Sequence, residues 1–328
     1  MIRLAQKIVL AVVVLAASPA HAWQVEILDQ ARGVVSVEYD DGVLLRTAEG
    51  LWRLDLANAK PRLTQIRVEI RRAKESDALP DGKLIGAPAL NGFVYLASPT
   101  DRYTHGVLGD AIEADALVFF GHDGKKQRVS AGKDAVFEDL VPRLHDLDGD
   151  GIPEITVVKS YLSRGAALAV IGRDRNGALG ILAETPPIGI PNRWLNPAGF
   201  GDFTGAGKQE IALVRMPHAL GRLEIWRWEN GGLVNVARED DTSNHAIGSR
   251  VLNLSVVADF DGDGLPDLAI PSFDRRSIRI LRFHGGISEI ARIKLPARAE
   301  RGMALLGAGG EKLLVVGLED GTVALIRR

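Results

Sequence analysis

No cysteine occurs anywhere in the chain. That absence excludes a disulfide framework, a lipid-modified N-terminal cysteine and any thiolate metal site, and it turns metal chemistry toward oxygen ligands. A basic surplus is missing too, since 40 Lys and Arg face 42 Asp and Glu for a net charge of −2. Nucleic acid is therefore not an expected partner, because binding its backbone normally requires a basic face. Beyond the first residues no apolar run approaches the roughly 20 residues that a membrane span needs, and helical periodicity is almost absent. There is no G-x-S-x-G, no H-E-x-x-H and no phosphate-cradling glycine loop. Of the seven histidines, none lies at metal-ligand spacing from His105.

The first 22 residues, MIRLAQKIVLAVVVLAASPAHA, combine Arg3 and Lys7 with an apolar run over 8–17 and a small-x-small site at Ala20-His21-Ala22. This reads as a secretory signal peptide over residues 1–22, cut before Trp23. The mature chain is then expected to be a soluble monomer, periplasmic or secreted. Because the leader carries two cations and no acid, its removal takes the net charge from −2 to −4. Residues 23–328 exceed the usual size of a single core unless the fold is a repeat ring or solenoid.

Asp146 to Ile155 reads DLDGDGIPEI, and nearly the same pattern returns as DFDGDGLPDL from Asp259 to Leu268. A third, eroded copy, DFTGAGKQEI, runs from Asp202 to Ile211, so the copies start 56 and 57 residues apart. Matched apolar segments follow each: residues 155–158, 211–214 and 268–270, then ALAVIG, RLEIWRW and SIRILRF, then LGILAE, LVNVAR and ISEIARI. The stretches before the copies supply a fourth strand. Alternation of Leu223 and Ile225 with Arg222 and Glu224 is the period of a half-buried strand, and RNG and ENGG mark turns. A four-strand unit at fixed period predicts an all-β fold, a β-propeller of four-stranded blades, with a β-sandwich array as the alternative. Units fall near 140–190, 196–245 and 250–298, and residues 34–70 and 84–130 add two. The last three strands make a sixth if residues 24–28 close the ring as its outer strand. Five or seven blades stay open, because residues 71–83 read as linker, solvated loop or strand.

Asp146, Asp148 and Asp150 occupy positions 1, 3 and 5 of a loop that Gly149 and Gly151 allow to turn. Gathered there they repel one another unless a cation lies between them. Oxygen-only ligation selects calcium or magnesium over zinc or copper, and a flexible many-oxygen set favours calcium. The Ile152 carbonyl falls at position 7 and the Glu154 carboxylate at position 9. An EF-hand would need Glu at position 12 between helices, but Val157 and Ile270 stand there, and Pro153 and Pro266 lead into β-rich sequence. The competing reading of one such stretch is a solvated acidic turn.

The pattern D-x-D-G-D-G-x-P-[DE]-[IL] is matched in full at 146–155 and 259–268. It resembles the FG-GAP/VCBS repeats of calcium-loop propellers, which include the integrin α-subunit head, over about residues 140–300. The resemblance implies Ca2+ at two sites: one held by Asp146, Asp148, Asp150, the Ile152 carbonyl and Glu154, the other by Asp259, Asp261, Asp263, the Leu265 carbonyl and Asp267. The middle copy departs from it, with Thr204, Ala206 and Lys208 in place of Asp148, Asp150 and Ile152, so the site at 202–210 is expected to be empty. Extracellular modules hold calcium in roughly the 0.1–1 mM range, which points to bracing rather than catalysis.

A ligand site is expected on the other face. Residues 98–120, SPTDRYTHGVLGDAIEADALVFF, put 19 residues between strands at 93–97 and 117–120 and gather Asp101, Arg102, Tyr103, His105, Asp110 and Glu113. Consecutive antiparallel strands place this connection opposite the acidic loops, and long loops on a rigid scaffold are where binding tends to reside. The competing reading makes Asp101 and Arg102 a solvated turn, packs Tyr103 and His105 on a neighbouring blade, and has Asp110 cap a short helix at 111–114. Trp194, Trp226 and Trp228 read as blade packing, with sugar stacking as the alternative. The expected function is an exported, calcium-stabilised binding or scaffold module for a protein or glycan partner. The rival is an envelope-polymer hydrolase or lyase using the 98–114 loop, which requires at least two of Tyr103, His105 and Asp110 to converge in a concave pocket.

Overall fold

The structure is a computed structural model describing residues 23–58, 60–67, 75–174, 177–307 and 312–328. The leader at 1–22, part of the 71–83 segment and the first two residues of the RNG turn lie outside the described residues. Runs of aliphatic and β-branched residues broken by glycine and asparagine turns form strands throughout. Among the described residues the only helical element is the 3-10 turn Pro88–Leu90, so no helix there is long and apolar enough to cross a membrane.

The chain starts with β1 (Gln24–Ile27), and β2 to β5 (Val34–Tyr39, Val43–Thr47, Gly50–Ala57 and Lys60–Ile66) form a four-stranded sheet in sequence order. A second ladder is β6 to β9 (Ile85–Ala87, Gly92–Thr100, Glu113–Gly121 and Lys126–Ser130). A third is β11 to β14 (Arg143–His145, Glu154–Tyr161, Gly165–Arg173 and Leu179–Glu184), and between the two β10 (Ala135–Phe137) pairs with both β8 and β12. Four-stranded sheets then recur as β15 to β18 (Leu195–Gly201, Glu210–Arg215, Arg222–Glu229 and Gly232–Glu239) and β19 to β22 (Val256–Ala258, Asp267–Pro271, Ser277–Arg282 and Ser288–Lys294). The last sheet, β23 to β25 (Ala299–Leu306, Leu313–Leu318 and Val323–Arg327), takes β1 as its fourth strand, with Gln24 opposite Arg327 and Ile27 opposite Ala324. The result is an all-β, propeller-like arrangement of repeated antiparallel four-stranded ladders.

Apolar contacts join the face of one sheet to the next. Ala198, Phe203 and Val214 share a cluster with Leu268 and Ile270, and Val37, Leu45 and Leu54 of the first sheet pack with Ala304, Val315 and Leu325 of the last. Middle strands are covered on both faces: β12 and β13 are buried along almost their whole length, whereas β14 is half-buried at every position. Two-sided burial makes such strands read as continuous apolar runs.

Strand direction alternates, so connections emerge at two ends. The three acidic loops join the first and second strands of their ladders at one end. At the other lie the β7–β8, β16–β17 and β20–β21 connections and the crossings at 185–194 and 240–255. The β7–β8 connection is shorter than its sequence implies, spanning only 101–112, because Thr100 and Glu113 pair across the ladder and extend both strands. Glu113 is therefore a strand residue. Asp110 caps no helix: its Oδ1 accepts the Ile112 N–H at 2.8 Å in a turn that leads into β8.

Candidate functional site

The first residue of each acidic loop clamps the turn behind it. Asp146 accepts the N–H groups of Gly149 and Gly151 at 2.8 and 2.9 Å, and Asp259 accepts those of Gly262 and Gly264 at 2.6 and 3.1 Å. Gly149 and Gly151 have φ of +81° and +86°, and Gly262 and Gly264 +88° and +87°, which is backbone that side chains rarely adopt. The clamp brings one oxygen each of Asp146, Asp148 and Glu154 within 4.8 Å of one another, and likewise Asp259, Asp261 and Asp267. Asp150 and Asp263 stand outside these groups. Each bonds the backbone two residues on, accepting the N–H of Ile152 at 2.7 Å and of Leu265 at 2.9 Å.

A metal fits this donor set. Asp267 is fully buried; its Oδ2 accepts the Phe260 N–H at 2.8 Å, but its Oδ1 has no partner. Burial, with help from the charges of Asp261 and Asp263, pushes its carboxyl up to about 6. Glu154 is raised in the same way, by burial and then by Asp148 and Asp150, while its Oε2 accepts the Leu147 N–H at 2.8 Å. A buried, unpaired carboxylate oxygen beside two further carboxylates is the environment an oxygen-seeking divalent cation would complete.

The eroded copy keeps a clamp and the last acid but lacks the acids at 204 and 206. Asp202 accepts the N–H of Ala206 and of Gly207, both at 2.8 Å. Glu210, fully buried, accepts from the Thr204 hydroxyl at 2.6 Å, the Thr204 N–H at 2.9 Å and Arg227 Nε at 2.9 Å. Arg227 also donates to the Thr204 hydroxyl at 2.7 Å. Lys208 reaches outward to Glu229 at 3.0 Å.

At the opposite end, the six candidate residues divide into two groups. Asp101, Arg102 and Asp110 lie at the surface: Arg102 contacts Asp115 at 2.5 Å and donates to the carbonyls of Gly132 and Ala135, while Asp110 pairs with Arg250 at 2.7 Å. Tyr103, His105 and Glu113 turn inward. The Tyr103 hydroxyl accepts the Asn192 N–H at 3.1 Å, and its ring meets His105 edge-on at 5.8 Å between centroids. His105 Nδ1 lies 2.8 Å from Oε1 of the fully buried Glu138, whose Oε2 accepts from Ser160. Burial, then the Glu138 charge, pushes Glu113 up to about 10.

A neighbouring cluster of Trp194, Glu138, His218 and His245 has little signature in the sequence. Trp194 donates to the Glu138 carbonyl at 3.0 Å, and His218 Nε2 lies 2.9 Å from His245 Nδ1. Burial, then Arg275, lowers His218 to about 4; burial, then His218, lowers His245 to about 3. The only sequence signal was two acids, Glu138 and Asp139, inside the apolar run AVFEDLV. Trp194, Trp226 and Trp228 are all buried, as blade packing requires.

Residues 202–270 match the FG-GAP-like repeat family, a span that includes the eroded and the third loops. No curated protein matches the chain. Similar solved structures include BBS1N in complex with ARL6DN, soaked with mercury, at 10% identity and a TM-score of 0.45, covering 89% of this chain and 77% of that one. Another is the exotype rhamnogalacturonan lyase YesX, at 15% identity and a TM-score of 0.44, covering 87% of this chain and 70% of that one.

Proposed function

We propose that this carrier of an FG-GAP-like repeat is an exported, calcium-braced propeller that works as a monomeric binding module for a protein partner. Residues 23–328 form one domain in this reading. Six ladders among the described residues, counting β1 in the last, and the packing of the first sheet on the last support a closed six-bladed ring. The leader-like residues 1–22 support export to the periplasm or beyond.

The binding role rests on the end opposite the acidic loops. Ile112, Ile190, Ile247 and Phe273, which are 44, 52, 73 and 38% exposed, all stand on connections at that end. Of the large apolar side chains exposed among the described residues, these four stand at that end, against Tyr39, the last residue of β2, and Ile152 at the acidic-loop end. Exposed apolar surface that is concentrated marks interaction sites more than scattered residues do. The enzyme reading is the weaker one, because its groups are already engaged: Asp110 with Arg250, Tyr103 with Asn192 and His105 with Glu138. The test is capture from envelope protein and glycan fractions by wild type and by an Ile190→Asp, Ile247→Asp double variant. Loss of a specific protein from the variant supports the reading. Identical capture removes this face, and selective retention of glycans by wild type would reassign the partner class.

A further inference from the structure

The three acidic loops differ in what their sheets place beside them. In each ladder the last acid of the loop starts the second strand, and the third strand sets one residue across from it. Glu210 stands opposite Arg227. Ile155 pairs with Ile171 and Leu268 with Leu281, so one step along Gly172 faces Glu154 and Arg282 faces Asp267. A Cβ at Gly172 would lie 3.4 Å from Glu154 Cγ, which puts this glycine directly against the loop acid. One lattice position therefore carries no side chain in the first copy and a guanidinium in the second and third.

The guanidinium of the second copy already acts as the cation, since Arg227 and Thr204 satisfy both oxygens of Glu210. The third copy is intermediate. Arg282 reaches Asp261 at 3.3 Å, yet its buried Nε has no partner, and neither has Asp267 Oδ1. Two more cations touch the same loop, Lys312 donating to the Asp259 carbonyl and Arg328 to the Phe260 carbonyl at 3.4 Å. Among the described residues, no basic side chain pairs with Asp146, Asp148, Asp150 or Glu154.

We infer that Arg282 is a tethered competitor for the calcium of its loop, so that the three loops form a graded series. The loop at 146–154 depends on calcium alone, the loop at 202–210 on arginine alone, and the loop at 259–267 is contested and binds the ion more weakly. A divalent ion entering the third loop must take Asp261 from Arg282 against the repulsion of like charges a few ångströms apart. This rests on the reading of the intact loops as calcium sites.

The experiment is calorimetric titration of the chelator-stripped full chain with calcium chloride. Asp148→Ala isolates the third loop and Asp261→Ala the first. The Asp261→Ala protein is expected to bind about tenfold more tightly than the Asp148→Ala protein. Arg282→Gln added to Asp148→Ala should tighten binding by about fivefold, a modest gain because the guanidinium is partly solvated, and should leave the Asp261→Ala protein unchanged. Equal affinities in the two single variants, or no gain from Arg282→Gln, overturn the competition while leaving both loops as calcium sites. An absence of binding heat in the wild type at millimolar calcium would remove the sites themselves, and the competition with them.

Discussion

Glu210 has no exposed surface, and the partners that keep it there are Thr204 and Arg227. Removing one member of a buried ion pair strands the other charge, at a cost of about 3 kcal/mol. Arg227→Gln should accordingly lower the free energy of unfolding by about that much, equally with and without chelator, in urea titrations. A drop seen only in calcium would mean that this loop binds metal after all. Three other residues contribute to the pH response. His245 Nε2 faces the Ser249 carbonyl at 2.9 Å, so it holds the proton, and its Nδ1 accepts from His218. Both rings are neutral in the fold down to about 4 and about 3, whereas unfolded histidine takes up a proton from about 6.5 downward. The unfolded state thus binds more protons in that window, and stability falls as pH drops from 7 to 5. His218→Gln should reduce this dependence without abolishing it, since His145, lowered to about 4 by burial and then by Arg143, acts in the same sense; an unchanged slope in its urea midpoints would clear the pair of that role. Glu113 acts in the opposite sense. Its folded value of about 10 means that holding the proton costs stability as pH rises above about 4.5. Glu113→Gln should therefore raise the urea midpoint at pH 8 and leave it alone at pH 4.

β1 is only four residues long, yet it covers the outer edge of β25. An uncovered strand edge is a template for pairing with another chain. Deleting Gln24–Ile27 is expected to lower the melting temperature and to produce concentration-dependent association in light scattering; a deletion that stays monomeric and as stable as wild type would show that the edge needs no cover. The strands themselves were largely legible, because turn residues and apolar runs recur at a fixed period and the repeats reinforce one another. Residues 179–184 were read to the residue as β14. The ends of β7 and β8 were not legible, since Thr100 and Glu113 look polar and loop-like until each is seen opposite the other. The clamp of the eroded loop survived its sequence losses for a related reason. It needs only Asp202 and backbone N–H groups, so Thr204 and Ala206 could replace acids while the clamp shifts one of its two bonds from the fourth loop position to the fifth.

For the molecule as a whole, the proposed calcium ions would act as ligands of the folded state alone. At 1 mM free ion and a dissociation constant of about 0.1 mM, one site adds about 1.4 kcal/mol to stability. Chelation should lower the melting temperature by a few degrees, and Asp148→Ala combined with Asp261→Ala should abolish the response; a melt indifferent to chelator in the wild type would count against bracing by metal. The sequence alone determined that the chain is all-β, that two loops carry a full set of acids and a third does not, and that residues 24–28 form a strand suited to pair with the last sheet. These are local or periodic properties, written in residue types and their spacing. Tertiary structure alone decided that Tyr103, His105 and Glu113 point inward while Asp101, Arg102 and Asp110 stay at the surface. It also decided that the position shared by Gly172, Arg227 and Arg282 in the repeat lies across from the last acid of each loop. Both outcomes depend on cross-strand register and on the packing of one sheet against the next, which set what each side chain faces.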